Sequence, residues 1–204
     1  DSAASDDAYK RQATESLTQD RDKARAWLDH VSRKIVFGFT RGFWDNSASD
    51  VLRMGRGYCN TKSTLFVALL RAANIPARQV FVDIHASVLH GILNPGTPYV
   101  DHSYVEVFLD DEWRATDAYI VDPALFVPAQ ARAARENLLM GYGVHVNGST
   151  EWDGRASSFS QFDIAAPETI SKRHFGVYAD VSDFYQKADG TWNRLNPVLR
   201  TAIG

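Results

Sequence analysis

Cys59 is the only cysteine in the 204-residue chain, so it has no partner for an internal disulfide and cannot anchor a cysteine-rich zinc site. It follows the break Gly55-Arg56-Gly57-Tyr58 and immediately precedes Asn60 to Ala73. There Leu65, Phe66, Ala68, Leu69, Leu70, Ala72 and Ala73 predict a core helix with hardly any polar face in its second half. A sulfur at a helix start lies beside unpaired backbone N–H groups and the positive end of the dipole, which favour the nucleophilic thiolate. The plainer alternative is a small buried hydrophobe, the usual role of a free cysteine. Whether a base and a carboxylate reach the sulfur separates the two.

The segments His102 to Leu109 and Glu112 to Asp117 read as alternating strands joined at Asp110-Asp111. A two-residue loop pairs Leu109 with Glu112, and by extension His102 with Tyr119 and Tyr104 with Asp117. His102 and Asp117 then become diagonal neighbours on one face, within reach of an imidazole to carboxylate hydrogen bond. A one-residue bulge would put them on opposite faces. The same face carries Tyr104, Glu106, Phe108, Trp113 and Ala115, and it is expected to pack on the core helix and so bring His102 to Cys59. Taken singly, His102 is a surface histidine at a strand start and Asp117 a polar strand end. Taken with Cys59 they supply a nucleophile, a base to remove its proton and an acid to orient the base.

The elements around these residues follow from periodicity and turn chemistry. Ser5 to about Arg33 lacks Gly and Pro and places Ala24, Trp27, Leu28, Val31 and Ile35 at helical spacing, predicting one or two amphipathic helices. An aromatic loop runs from Phe39 to Trp44. A short helix is expected over Ser47 to Met54, capped by Ser47 or Ser49. Asn74 and Pro76 end the core helix, and Ala77 to Ile84 alternates as a strand with Val80, Val82 and Ile84 on one face. Ser87 to Val100 is a loop with Gly91, Pro95, Gly96 and Pro98. Beyond Ala118 the pattern predicts a helix at Ala129 to Leu139, turns at Gly141, Gly143 and Gly148, a strand at Phe175 to Asp180 and a helix at Val181 to Lys187.

Gly57-Tyr58-Cys59, Leu70-Arg71-Ala72-Ala73-Asn74-Ile75-Pro76-Ala77-Arg78, His102-Ser103-Tyr104-Val105-Glu106-Val107 and Glu112-Trp113-Arg114-Ala115-Thr116-Asp117 together resemble the transglutaminase-like superfamily. The resemblance spans roughly Ser47 to Pro123. It implies a papain-like α+β core in which a helix with an N-terminal cysteine packs on an antiparallel sheet. Carried over, Cys59 is the nucleophile, His102 the base and Asp117 the orienting acid. Asn74 stands where the family usually has glycine, and asparagine tolerates the left-handed conformation needed there. In such enzymes a second oxyanion donor joins the cysteine's own N–H; Trp44 is the first candidate and Tyr58 the next, with Tyr104 a candidate substrate contact.

The expectation is therefore one transglutaminase-like domain over 1–204: a helical segment at 1–40, a catalytic core at 47–123 and a C-terminal elaboration at 124–204. Its chemistry is thiol-dependent acyl transfer or amide and peptide hydrolysis through an acyl-thioester enzyme, acting on a peptide, protein or small-molecule amide. The alternatives are a non-catalytic binding domain of the same fold and an acyltransferase moving a group from a thioester donor to a small amine.

A chain that is 45% hydrophobic and 12% aromatic is not disordered, and it has no apolar run of about 18 residues to span a bilayer. With a net charge of -3 and no basic run, neither nucleic acid nor membrane is an expected partner. Asp83, His85, His90, Asp101 and His102 match no familiar metal-ligand spacing, so no metal or cofactor is expected. His145 is expected to be structural or on the surface, Trp152 to be packing, and Glu106 to need Arg78 or Arg71 if buried. Asp1 to Asp7 lack a signal-peptide pattern, which favours the cytoplasm, although an N-terminus beginning at Asp is also what trimming would leave. Oligomeric state is not legible.

Overall fold

The computed structural model describes residues 19–40, 42–163, 166, 170–179, 181–187 and 198. The first half of the expected N-terminal helical segment lies outside them. Helix α1 (Asp20–Lys34) buries Ala24, Trp27, Leu28 and Val31 on one face, with Asp20 and Asp22 in its first turn and Arg33 and Lys34 in its last, matched to the dipole. The two-residue strand β1 (Val36–Phe37) follows.

In α2 (Ala48–Met54), Ser47 rather than Ser49 is the cap. Its hydroxyl accepts the Asp50 N–H at 3.2 Å while the Asp50 carboxylate accepts the Ser47 N–H at 3.1 Å. Gly55 ends the helix at φ 62°. Strand β2 (Arg56–Gly57) then pairs in parallel with β1. A Cβ on Gly57 would lie 2.8 Å from the Thr61 hydroxyl and 3.1 Å from the Lys62 side chain, so glycine lets this strand close against the next helix. That helix, α3 (Cys59–Ala72), makes Cys59 its first residue, with the Tyr58 N–H donating to Thr61 Oγ1 at 3.0 Å. Asn74 terminates the turn at φ 61°, as its residue type predicts.

Strands β3 (Ala77–His85), β4 (Tyr99–Leu109) and β5 (Glu112–Thr116) lead through α4 (Pro123–Arg135), β6 (Met140–Gly141) and β7 (Val144–His145) to β8 (Ile170–Tyr178) and α5 (Val181–Lys187). The main sheet is antiparallel in the order β5-β4-β3-β8. Its hairpin has the expected register, Leu109 opposite Glu112 and Phe108 opposite Trp113. Asp110 and Asp111 sit at φ 51° and 62°, both left-handed as a twisted two-residue turn requires.

Two boundaries differ from the sequence reading. Helix α4 runs over Pro123–Arg135 rather than Ala129 to Leu139, because proline at the first helical position has no N–H to lose and Asn137 leaves helical geometry at φ 55°. Strand β8 begins at Ile170, where pairing with β3 extends it past the apolar stretch visible in the sequence.

The sheet's two faces correct a further expectation. Val105, Val107 and Leu109 meet α1 and α3, packing with Trp27, Phe66 and Leu70. Tyr104 and Ala115 point the other way, into a second cluster with Val80, Val82, Ile84, Met140 and Phe162. The face that carries His102 therefore does not pack on the core helix, since alternation assigns that contact to the odd-numbered residues of β4. Glu106, on the outer face, pairs with Arg78, one of the two partners expected for it. Among the described residues no helix is long and apolar enough to cross a membrane.

Lys62, three residues beyond Cys59, is fully buried. Its ammonium donates to Ile35 O at 2.8 Å and Ile120 O at 2.9 Å, with Asp122 Oδ1 at 4.0 Å. It thereby ties α3 to the end of α1 and to the turn after Asp117. Burial pushes its pKa down to about 7, with Asp122 opposing. A lysine in an unfolded chain titrates near 10.4, so between those values the unfolded state binds more protons and stability rises with pH. At pH 9, Lys62→Met is expected to be less stable by about 2 kcal/mol, because two buried carbonyls lose their donor. That gap should narrow toward pH 7. Urea unfolding at both pH values checks it, and a pH-independent gap would refute it.

Candidate active site

Cys59 is partly exposed and stands where β4 has an open edge. Strand β5 ends at Thr116, opposite Val105, so among the described residues nothing pairs with the start of β4 on that side. The Ser103 amide faces the sulfur there and joins the Asn60 amide in favouring the thiolate. Burial is the larger effect and, together with the Asp101 carboxylate, pushes the Cys59 thiol well up. The helix start and the two amides thus do not offset the burial of the sulfur. The helix interior behind the sulfur is well tied: Ser63 Oγ donates to Cys59 O at 2.7 Å and lies 2.6 Å from the Tyr119 hydroxyl.

His102 and Asp117 are both buried and meet as the register predicts, His102 Nε2 lying 3.1 Å from Asp117 Oδ2. The carboxylate's other oxygen accepts the Ser160 N–H and, at 2.9 Å, the Ser160 hydroxyl, while the Gln161 N–H approaches Oδ2 at 3.4 Å. Phe162 meets the imidazole edge-on at 5.3 Å. With Asp117 ionised, Nε2 carries the proton and Nδ1 carries the lone pair. Nδ1 is thus the basic nitrogen, and His102 and Cys59 line the same cavity.

The remaining candidates separate. Tyr58 lines that cavity, but its hydroxyl lies 3.4 Å from Tyr185 and 3.5 Å from Asn60 Nδ2. Trp44 stacks on Tyr185 with centroids 5.2 Å apart and does not line the cavity. Tyr104 is buried among Phe159 and Phe162, its hydroxyl 3.4 Å from His174 Nε2, because it lies on the face turned from the helix. Neither Trp44 nor Tyr104 reaches the sulfur's cavity. His145 and Trp152 are buried, the indole N–H of Trp152 donating to Ala156 O at 2.8 Å. His85 turns to Ser87 at 2.9 Å and His90 lies 3.8 Å from Glu136, so these histidines diverge from Asp83 and Asp101.

Sequence reasoning missed the residues that hold the catalytic candidates. Ser160 and Gln161 reach Asp117 from 43 and 44 positions away in irregular chain, with no motif to mark them. Asp101 is held by the Tyr185 hydroxyl at 2.6 Å and Asn60 Nδ2 at 3.3 Å. The only signal available was adjacency to Cys59 and His102.

A core helix that begins at a cysteine and packs on an antiparallel sheet, with a histidine and an aspartate bonded across one hairpin, is the transglutaminase-like, papain-like fold. The model of the transglutaminase-like superfamily core matches residues 7–118, over half of the chain, and the chain belongs to that superfamily. No curated protein matches.

Three solved structures are similar to part of it. A chain from Cytophaga hutchinsonii described as a putative cysteine protease shares 19% identity over 58% of this chain and 38% of its own, with a TM-score of 0.45. A chain from Parabacteroides distasonis described as a putative protease shares 16% over 53% and 22%, at 0.40. A structure described as a TGase shares 18% over 56% and 31%, also at 0.40. The chain thus spans less than two fifths of each.

Proposed function

We propose that the chain is a cysteine-dependent acyl-transfer enzyme that hydrolyses an amide or peptide bond. The observation that supports this reading is the buried His102–Asp117 pair at 3.1 Å, whose histidine lines the same cavity as Cys59. His102 Nδ1 takes the thiol proton, and the sulfur adds to the carbonyl carbon. The resulting oxyanion is met by the Cys59 N–H, which as the first of its helix has no intrahelical acceptor. The C–N bond then breaks as His102 returns the proton to the departing amine, leaving a thioester. Water, deprotonated by the same imidazole, attacks the thioester and releases the acid. Water is preferred here to a second amine because it needs no docking surface of its own.

The test is the rate of Cys59 alkylation by iodoacetamide against pH, in the wild type and in His102→Ala. The imidazole stabilises the thiolate as an ion pair, so the wild-type rate is expected to rise at lower pH. In the variant, burial and Asp101 should leave the thiol titrating above the ordinary thiol range of about 8.5. Coincident profiles would mean that the base does not act on the sulfur, and would end the proposal.

A further inference from the structure

The cavity at the sulfur has a composition that selects its occupant. Its water-accessible volume is about 90 Å³. One wall is aromatic, formed by Phe37, Phe39 and Phe43, with Phe43 stacked on Tyr58 at 4.6 Å. The rest of its apolar lining is largely aliphatic, from Ile84, Val88, Leu89, Leu93 and Val100. Among the described residues no lysine or arginine lines it, and Asp101 is its carboxylate.

The aliphatic wall comes largely from the Gly- and Pro-containing loop after β3, and main-chain hydrogen bonds pin that loop. The Gly143 N–H donates to Val88 O at 2.8 Å, the Tyr142 N–H to His90 O at 2.8 Å and the Ala86 N–H to Pro98 O at 2.9 Å. Leu89 and Leu93 are joined to each other by a 3.1 Å bond from the Leu93 N–H to Leu89 O. The wall is therefore preformed, as apolar ligand sites usually are.

We propose that this cavity is the specificity subsite of the acyl-transfer reaction, and that the substrate carries a bulky, uncharged, apolar group of branched-alkyl or aryl type beside the reacting carbonyl. The inference rests on the proposed function for its chemistry, but the subsite can be probed without any turnover. A carboxylate entering here loses its hydration, meets Asp101 and finds no cation among the described lining residues. An apolar group exchanges water for the hydrocarbon lining.

The experiment measures the rate of Cys59 modification by three maleimides, N-phenyl, N-carboxyethyl and N-aminoethyl, each divided by its rate with glutathione to remove intrinsic reactivity. In the wild type the phenyl probe is expected to be favoured over the carboxylate probe by at least about tenfold. Leu93→Asp, and separately Leu89→Asp, should bring that ratio near one; both side chains are partly exposed, so either change charges the wall without emptying a core. The proposal is overturned by a wild-type ratio near one, by a ratio unchanged in both variants, by a thiol that reacts with none of the probes, or by the amino probe being fastest. The last result would make the cavity a cation site governed by Asp101. Failure of the acyl-transfer reading is distinguishable, since coincident alkylation profiles with and without His102 would leave the phenyl preference standing.

Discussion

Cys59→Ala is expected to lower turnover of any amide that the chain hydrolyses by about a millionfold, the loss typical of removing an enzymic nucleophile. The fold should be unaffected. Cys59 is partly exposed at the first position of α3, alanine is a good helix former, and the lost sulfur contact is worth about 1 kcal/mol or less. His102→Ala should cost nearly as much, and the double variant little more than either alone, because the proposed reaction uses both residues in one step. Steady-state kinetics of the three variants, with urea unfolding as the control, provide the measurement. Independent, additive losses would mean that the two residues do not act together, and appreciable activity in Cys59→Ala would exclude a thioester intermediate.

Asp117→Asn is expected to reduce kcat by about 10⁴-fold with KM little changed, a magnitude seen when the acid of such a triad is replaced by its amide. The cause is tautomeric. Asp117 receives donors on both oxygens, from Ser160 on one and from His102 Nε2 and Gln161 on the other. If the asparagine keeps its carbonyl toward Ser160, its NH₂ faces Nε2 and donates to it. That forces the imidazole proton onto Nδ1, the atom that must be basic to receive the thiol proton. Activity should recover in part as pH rises and the thiol ionises without help. A variant with wild-type kcat would show that Asp117 serves the fold alone.

Much of the site is legible before any coordinates. Helical spacing ending in Asn74-Ile75-Pro76 locates α3, and Gly57 before Cys59 places the sulfur at its start. Asp110-Asp111 between two alternating runs locates the hairpin, and period-two alternation then puts His102 and Asp117 together. These are local rules: each depends on residues close in sequence and on the fixed periods of helix and strand. The expectation that the His102 face packs on α3 failed for a related reason. Tyr104, Phe108 and Trp113 are as apolar as Val105 and Val107, so pattern alone does not say which face of a sheet covered on both sides meets the helix.

The sequence by itself determined the place of Cys59 at a helix start, the hairpin register and the family to which these belong. Only the tertiary structure decided how the sulfur comes to His102's cavity, from the edge of β4 that the shorter β5 leaves open. It also decided that Ser160 and Gln161 hold Asp117, that Lys62 is buried among carbonyls, and that the cavity walls are hydrocarbon. These are contacts between segments tens of residues apart, and they arise when the layers pack, where neither helical nor strand periodicity has any reach.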